Sequence, residues 1–161
     1  MQKEVKKAIE LRQEGKVAES NELLLKVAGE FPMDPYVNYQ CAWSFDLLGK
    51  ETDAIPFYEK AIDLGLSGND LEGAILGLGS SYRTIGEYAK SKNVFQKGLD
   101  LFPSNRALKV FYSMTLYNLK EHDAAMEILL TSLIETTSDE GILHYKRAIQ
   151  FYSDKLDRTW K

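Results

Sequence analysis

One cysteine, two histidines and four prolines among 161 residues leave little room for several kinds of chemistry. A lone Cys41 cannot close an internal disulfide, which suits a reducing cytoplasm rather than an oxidising compartment. His122 and His144 lie 22 residues apart on different predicted helices, far in sequence from Cys41, so no ligand set has metal-binding spacing. No uninterrupted apolar run approaches the ~20 residues that span a bilayer. The N-terminal MQKEVKKAIELRQEGK is too polar for a secretory signal. A basic stripe is missing as well: net charge is −4 and the isoelectric point about 5.3, which argues against a nucleic-acid partner. The carboxylates are scattered over predicted helix surfaces with no paired-acid signature. The glycines of LEGAILGLGSSYR lack both the G-K-[ST] and the preceding strand of a phosphate loop. These absences predict a cytoplasmic, non-catalytic protein with no cofactor, metal, membrane or nucleic-acid partner.

What is present is a repeat. Hydrophobic residues at 44% and charged residues at 27% describe one ordinary globular domain spanning 1–161. Gly15, Gly49 and Gly86 each separate two helix-like stretches, in ELRQEGKVAES, FDLLGKETDAI and YRTIGEYAKSK. The first two are 34 residues apart; three extra residues precede the third, in LGLSGNDLEGA. A fourth copy, YNLKEHDAAM, places Lys120 another 34 residues on, where a glycine is expected. With the turn residue at position 15, the units run over about 1–34, 35–68, 72–105 and 106–139. Position 8 is small in each (Ala8, Ala42, Gly79, Ser113), as close helix approach requires. Positions 20 and 24 pair small with large: Ser20 and Leu24, Ala54 and Tyr58, Ser91 and Phe95, Ala125 and Leu129. Pro32 and Pro103 stop second helices. The three-residue insertion, rich in Gly65, Gly68 and Asn69, predicts a longer surface turn, with Ser67 or Asp70 capping the next helix. A last helix is predicted over about 139–157, capped by Ser138 or Asp139. Its stripe Ile142, Tyr145, Ile149, Tyr152 and Leu156 is expected to cover the final exposed face.

A 34-residue helix-turn-helix with these small, large and proline positions resembles the tetratricopeptide repeat. The resemblance implies an all-α, right-handed solenoid of four helix-turn-helix repeats plus a C-terminal capping helix. It also implies that first helices line a concave surface through positions 2, 5, 9, 12 and 13. Transferred to this chain, that surface holds an apolar and aromatic set: Tyr36, Tyr39, Trp43, Leu76, Arg83, Val110, Met114 and Tyr117. Arg83 reads as its one obvious cation, to meet a carboxylate or to pair with Asp46 or with a neighbouring repeat's acid. The family's basic clamp for C-terminal carboxylates falls on Val5, Ile9, Gln40, Gly73 and Gly77, none of them Lys, Arg or Asn, so that specificity does not carry over. The stretches DLEGAILGLGSSYRTIGEY, GLDLFPSNRALKVFYSMTLYNL and LIETTSDE further resemble a small bacterial tetratricopeptide family of bacilli and their relatives. That likeness implies protein–protein interaction, a dimer and no catalysis.

The expected function is therefore an interaction scaffold with an aromatic concave groove that self-associates as a homodimer, hiding its apolar residues against a second copy. The alternative is a monomeric peptide receptor or secretion-type chaperone that keeps the groove open for a client segment.

Overall fold

The computed structural model describes residues 1–161 and contains ten helices and no strand. They are α1 (Gln2–Gln13), α2 (Val17–Glu30), α3 (Pro35–Asp46), α4 (Glu51–Asp63), α5 (Gly68–Thr84), α6 (Tyr88–Leu101), α7 (Arg106–Asn118), α8 (His122–Thr136), α9 (Glu140–His144) and α10 (Lys146–Tyr152). Their packing forms two compact units, Met1–Val94 and Phe95–Lys161.

The turn residues do what their spacing predicts. Gly15, Gly49 and Gly86 take φ of 80°, 66° and 85°, the left-handed region where a side chain is penalised. Around each, two backbone bonds recur. Gly15 N–H donates to Arg12 and Lys16 N–H to Leu11, and the same offsets are repeated at Gly49 and Gly86. This is the Schellman closure, which satisfies carbonyls that the helix end leaves open. Lys120 makes the same pair of bonds, to Tyr117 and from Glu121 to Leu116, and at φ 65° it is the single non-glycine residue in that region.

In the first unit, helix pairs approach closely because the facing residues are small and one of them hydrogen-bonds. Ser20 Oγ donates to the Ala8 carbonyl at 2.7 Å, and Ser91 Oγ to the Gly79 carbonyl at 2.7 Å. The residues given small size by the repeat thus also tie the second helix to the first. The helix α3 starts at Asp34, whose side chain accepts from Val37 N–H, with Pro35 at the first helical position. Asn38 then pins the incoming turn by donating to the carbonyls of Pro32 and Asp34. The core of this unit runs through Val5, Leu24, Val27, Val37, Cys41, Phe45, Tyr58, Ile75, Leu78 and Tyr82, all buried.

Two expectations are corrected. The insertion does not form a longer turn: after its last residue, Asp63, α4 is closed by left-handed Gly65 (φ 87°) with the same pair of bonds, and the extra residues extend α5 to 17 residues, against 12 for α1 and α3. Ser67 occupies the N-cap position but accepts no bond through its side chain. In the second unit, the single helix expected over 139–157 is two short ones. Asp139 does cap, accepting from Ile142 N–H, but the first segment ends after five residues at Tyr145. The break takes the 3-4-3-4 stripe off a single rod. Ile142 and Ile149 are half-buried, while Tyr145, Tyr152 and Leu156 are exposed.

Relieving the left-handed strain at the exposed Lys120 is expected to help. Lys120→Gly should raise unfolding stability by about 1 kcal/mol, read as a higher urea midpoint at unchanged slope. A lower midpoint would show that the lysine side chain makes a compensating contact.

Candidate functional site

The first unit carries a recess where α3, α4 and α5 meet, and its shape comes from two glycines. A side chain on Gly73 would place Cβ 2.3 Å from Tyr39 Oη, and one on Gly77 would place it 2.3 Å from Tyr58 Cζ. Both tyrosines therefore rest directly on the α5 backbone. Tyr39 and Tyr58 are 6.3 Å apart between ring centroids, and Tyr39 stacks on Trp43 at 6.0 Å with the planes 24° apart. Beside them lies a cavity of about 310 Å³ lined by Tyr39, Trp43, Asp46, Leu47, Tyr58, Gly73, Leu76 and Gly77.

Asp46 supplies the one formal charge in that lining. Its carboxylate accepts from Tyr58 Oη at 2.6 Å and from Ser81 Oγ at 2.9 Å, so its hydrogen-bond partners are hydroxyls and not cations. Burial pushes its pKa above the ordinary carboxylate value; the two hydroxyl bonds pull it back down, and Glu51 adds to the rise. Burial likewise raises Tyr58, with the nearby Asp46 charge contributing in the same direction.

Outside the cavity, Arg12 of α1 lays its guanidinium 3.9 Å from the centroid of the Trp43 ring and donates from Nη2 to Gln40 Oε1 at 2.8 Å. Its Nη1 is buried with no partner, and desolvation lowers its pKa. Trp43 is thus held between a cation and a tyrosine, yet keeps 40% of its surface exposed. Such a ring, rigid and half desolvated, is the usual form of an interface anchor.

The expected site residues separate. Tyr39, Trp43 and Leu76 do share the cavity, but Tyr39 is only 8% exposed and serves as its wall. Tyr36 lines a different depression of about 420 Å³ along α1 and α3, with Val5, Ile9, Asp34 and Val37. Arg83 is half-buried at the end of α5 and is not part of this cavity's lining; the cation stacked on Trp43 is Arg12, and Asp46 bonds Tyr58 and Ser81 instead of Arg83. Val110, Met114 and Tyr117 lie on α7 of the second unit; Val110 is half-buried, whereas Met114 and Tyr117 are exposed. Sequence reasoning missed Tyr58 and Gly77 as parts of the site, and underweighted Arg12 and Asp46. The available signal was register: Arg12, Asp46, Arg83 and Tyr117 all occupy position 12 of their repeats.

Cys41 supplies no nucleophile, because burial pushes its thiol up to about 12. No helix is long and apolar enough to cross a membrane.

Helix-turn-helix pairs closed by left-handed turns at a 34-residue spacing, with small residues at the pair contact, define an α-solenoid of the repeat class. The family model for the tetratrico peptide repeat matches residues 35–156, and the chain belongs to that family. Its fold is that of other members. The MamA segment from residue 41 onward, from Desulfovibrio magneticus RS-1, aligns with a TM-score of 0.75 at 13% identity, covering 97% of this chain and 86% of that one. YrrB aligns with a TM-score of 0.72 at 15% identity, covering 96% and 77%. In sequence, the chain is 29% identical over 106 residues to Superkiller protein 3 of Saccharomyces cerevisiae, which is 62% of this chain and 7% of that much longer protein. Tetratricopeptide repeat proteins are in general non-catalytic protein-interaction modules.

The two glycines are expected to differ. Alanine gains about 1 kcal/mol of helix propensity over glycine, but Tyr58 is fully buried with its hydroxyl bonded to Asp46, whereas Tyr39 is held by ring contacts with Trp43 and Tyr58. Gly77→Ala should lower stability by about 1–3 kcal/mol, and Gly73→Ala by clearly less, in urea unfolding. Equal midpoints for the two variants would show that the Tyr58 contact does not limit packing.

Proposed function

We propose that the chain binds an extended or helical segment of a partner protein across the Trp43 face of its first unit. The observation that supports this most directly is Trp43 itself, stacked under Arg12 and exposed beside a 310 Å³ cavity with a carboxylate in it. YrrB, which has the same fold, is a repeat protein with an unusual peptide-binding site, and that precedent agrees with a groove open to peptides. A peptide-display selection against the whole chain tests this reading. Selected peptides should bind Trp43→Ala about thirtyfold more weakly, the loss of roughly 2 kcal/mol that a hot-spot tryptophan gives, while Trp160→Ala binds as wild type. Undiminished binding to Trp43→Ala would remove this face from the function.

Self-association is a second reading, and a separate surface favours it. In the second unit, Met126, Leu129 and Leu133 are exposed along α8, and Tyr145, Phe151, Tyr152 and Trp160 are exposed after α9, two of them on α10. Exposed apolar residues of this number mark an interaction surface. Light scattering at micromolar concentration should give twice the 18.3 kDa chain mass, with Leu129→Glu returning it to monomer. A wild-type monomer sinks the dimer.

A further inference from the structure

Building on the groove reading, we infer that the cavity beside Trp43 is a pocket for one basic side chain, lysine or arginine, of the bound segment, with Asp46 as its counter-charge. Four observations lead there. The cavity, at about 310 Å³, sits at the small end of ligand sites, which run from roughly 300 to 1,000 Å³. It fits a single long side chain and not a folded element. Its walls are apolar and aromatic: Tyr39, Tyr58, Trp43, Leu47 and Leu76 offer surface to an aliphatic stem. At the polar end, Asp46 uses both oxygens on hydroxyl donors and has no bonded cation, although a carboxylate retains lone pairs for a further charged donor. The surrounding segment is acidic too, since residues 35–71 carry six acidic and two basic side chains.

Charge complementarity then chooses the guest. A buried carboxylate without a cation is costly, and a neutral or acidic guest would desolvate it further with nothing in return. An ammonium or guanidinium bonds it, while the aromatic rings favour a cation at their faces. The other charges near the recess include Arg12, Glu51 and Asp70; Glu51 acts on Asp46 and adds to the negative potential. Arg12 is engaged on Trp43 and Gln40 and does not line the cavity. Asp70 lies near enough to Tyr39 to oppose its ionisation, so it adds to the negative potential. This is opposite in sign to a basic clamp that grips a carboxylate. The partner it selects is a segment with a lysine or arginine next to apolar residues.

The test uses the whole chain, labelled with 15N, and four small probes: the Nα-acetyl amides of arginine, lysine, citrulline and norleucine. The arginine or lysine probe should move the Trp43 indole N–H and the Gly77 amide saturably, at least about tenfold more tightly than uncharged citrulline or norleucine. Asp46→Asn, nearly isosteric, should erase that preference while leaving norleucine binding and the rest of the spectrum unchanged. Equal affinity for arginine and citrulline overturns the inference, as does an Asp46→Asn protein that still prefers arginine. If norleucine binds at Trp43 as well as arginine does, the groove stands and the basic pocket falls. Silence at Trp43 to all four probes also overturns the pocket, while the peptide selection on Trp43→Ala still decides the groove independently.

Discussion

A left-handed residue at each first-helix end lets two backbone bonds close one helix and release the chain into the next within three or four residues. Gly15, Gly49, Gly86 and Lys120 all do this with the same offsets. The short connection holds each second helix against its own first helix, at a distance that only small residues permit. Ser20 and Ser91 then convert contact into attachment by bonding the carbonyls of Ala8 and Gly79. A carbonyl inside a helix already accepts one backbone bond, so the serine uses its second lone pair at little cost. Remove the close approach and neither hydroxyl has a buried partner, which is why turn, small residue and serine form one device and not three.

The same logic of absent side chains builds the recess. Gly73 and Gly77, one helical turn apart on α5, let Tyr39 and Tyr58 settle on backbone. Tyr58 thereby reaches Asp46, and Asp46 reaches across to Ser81 on α5. Two pairs of helices are thus joined through a half-buried carboxylate. The charge does not come free. Because burial raises its pKa above 3.8, the native state holds this proton more tightly than the unfolded chain does. Stability from this group therefore falls as pH climbs from about the unfolded value through the raised one, and at neutral pH the ionised form opposes folding. An asparagine could accept one bond and avoid the charge. A charge kept at such a cost is a common sign of a working site rather than of architecture.

Much of this was legible before any coordinates. The repeat register located the left-handed turn inside each helix pair, including the odd lysine, because φ above zero restricts residue choice so sharply; it did not locate the left-handed Gly65 and Gly68 between α4 and α5. Position 8 and position 20 were legible for the same reason, since steric limits leave a compositional trace. The site was only half legible. Tyr39 looked like a groove residue from its place on α3, but whether it faces solvent depends on what stands opposite, and Gly73 opposite lets it sink. The insertion also misled: Gly68 and Asn69 favour turns, yet the four residues before Glu72 gain backbone bonds as a further turn of α5. Local propensity lost to helix continuation. The C-terminal stripe failed through a break at Tyr145, which no periodicity in the apolar residues reveals.

Position 12 draws these strands together. It lies in the last turn of each first helix, three residues before the left-handed turn, next to the backbone bonds that close that helix. In the first unit it carries Arg12, Asp46 and Arg83 on α1, α3 and α5; Arg12 stacks on Trp43, and Asp46 lines the cavity beside that ring. What repeats is the scaffold that aims position 12; what varies is the charge aimed. On a solenoid whose core positions are fixed by steric fit, that variation is where partner chemistry is free to be written.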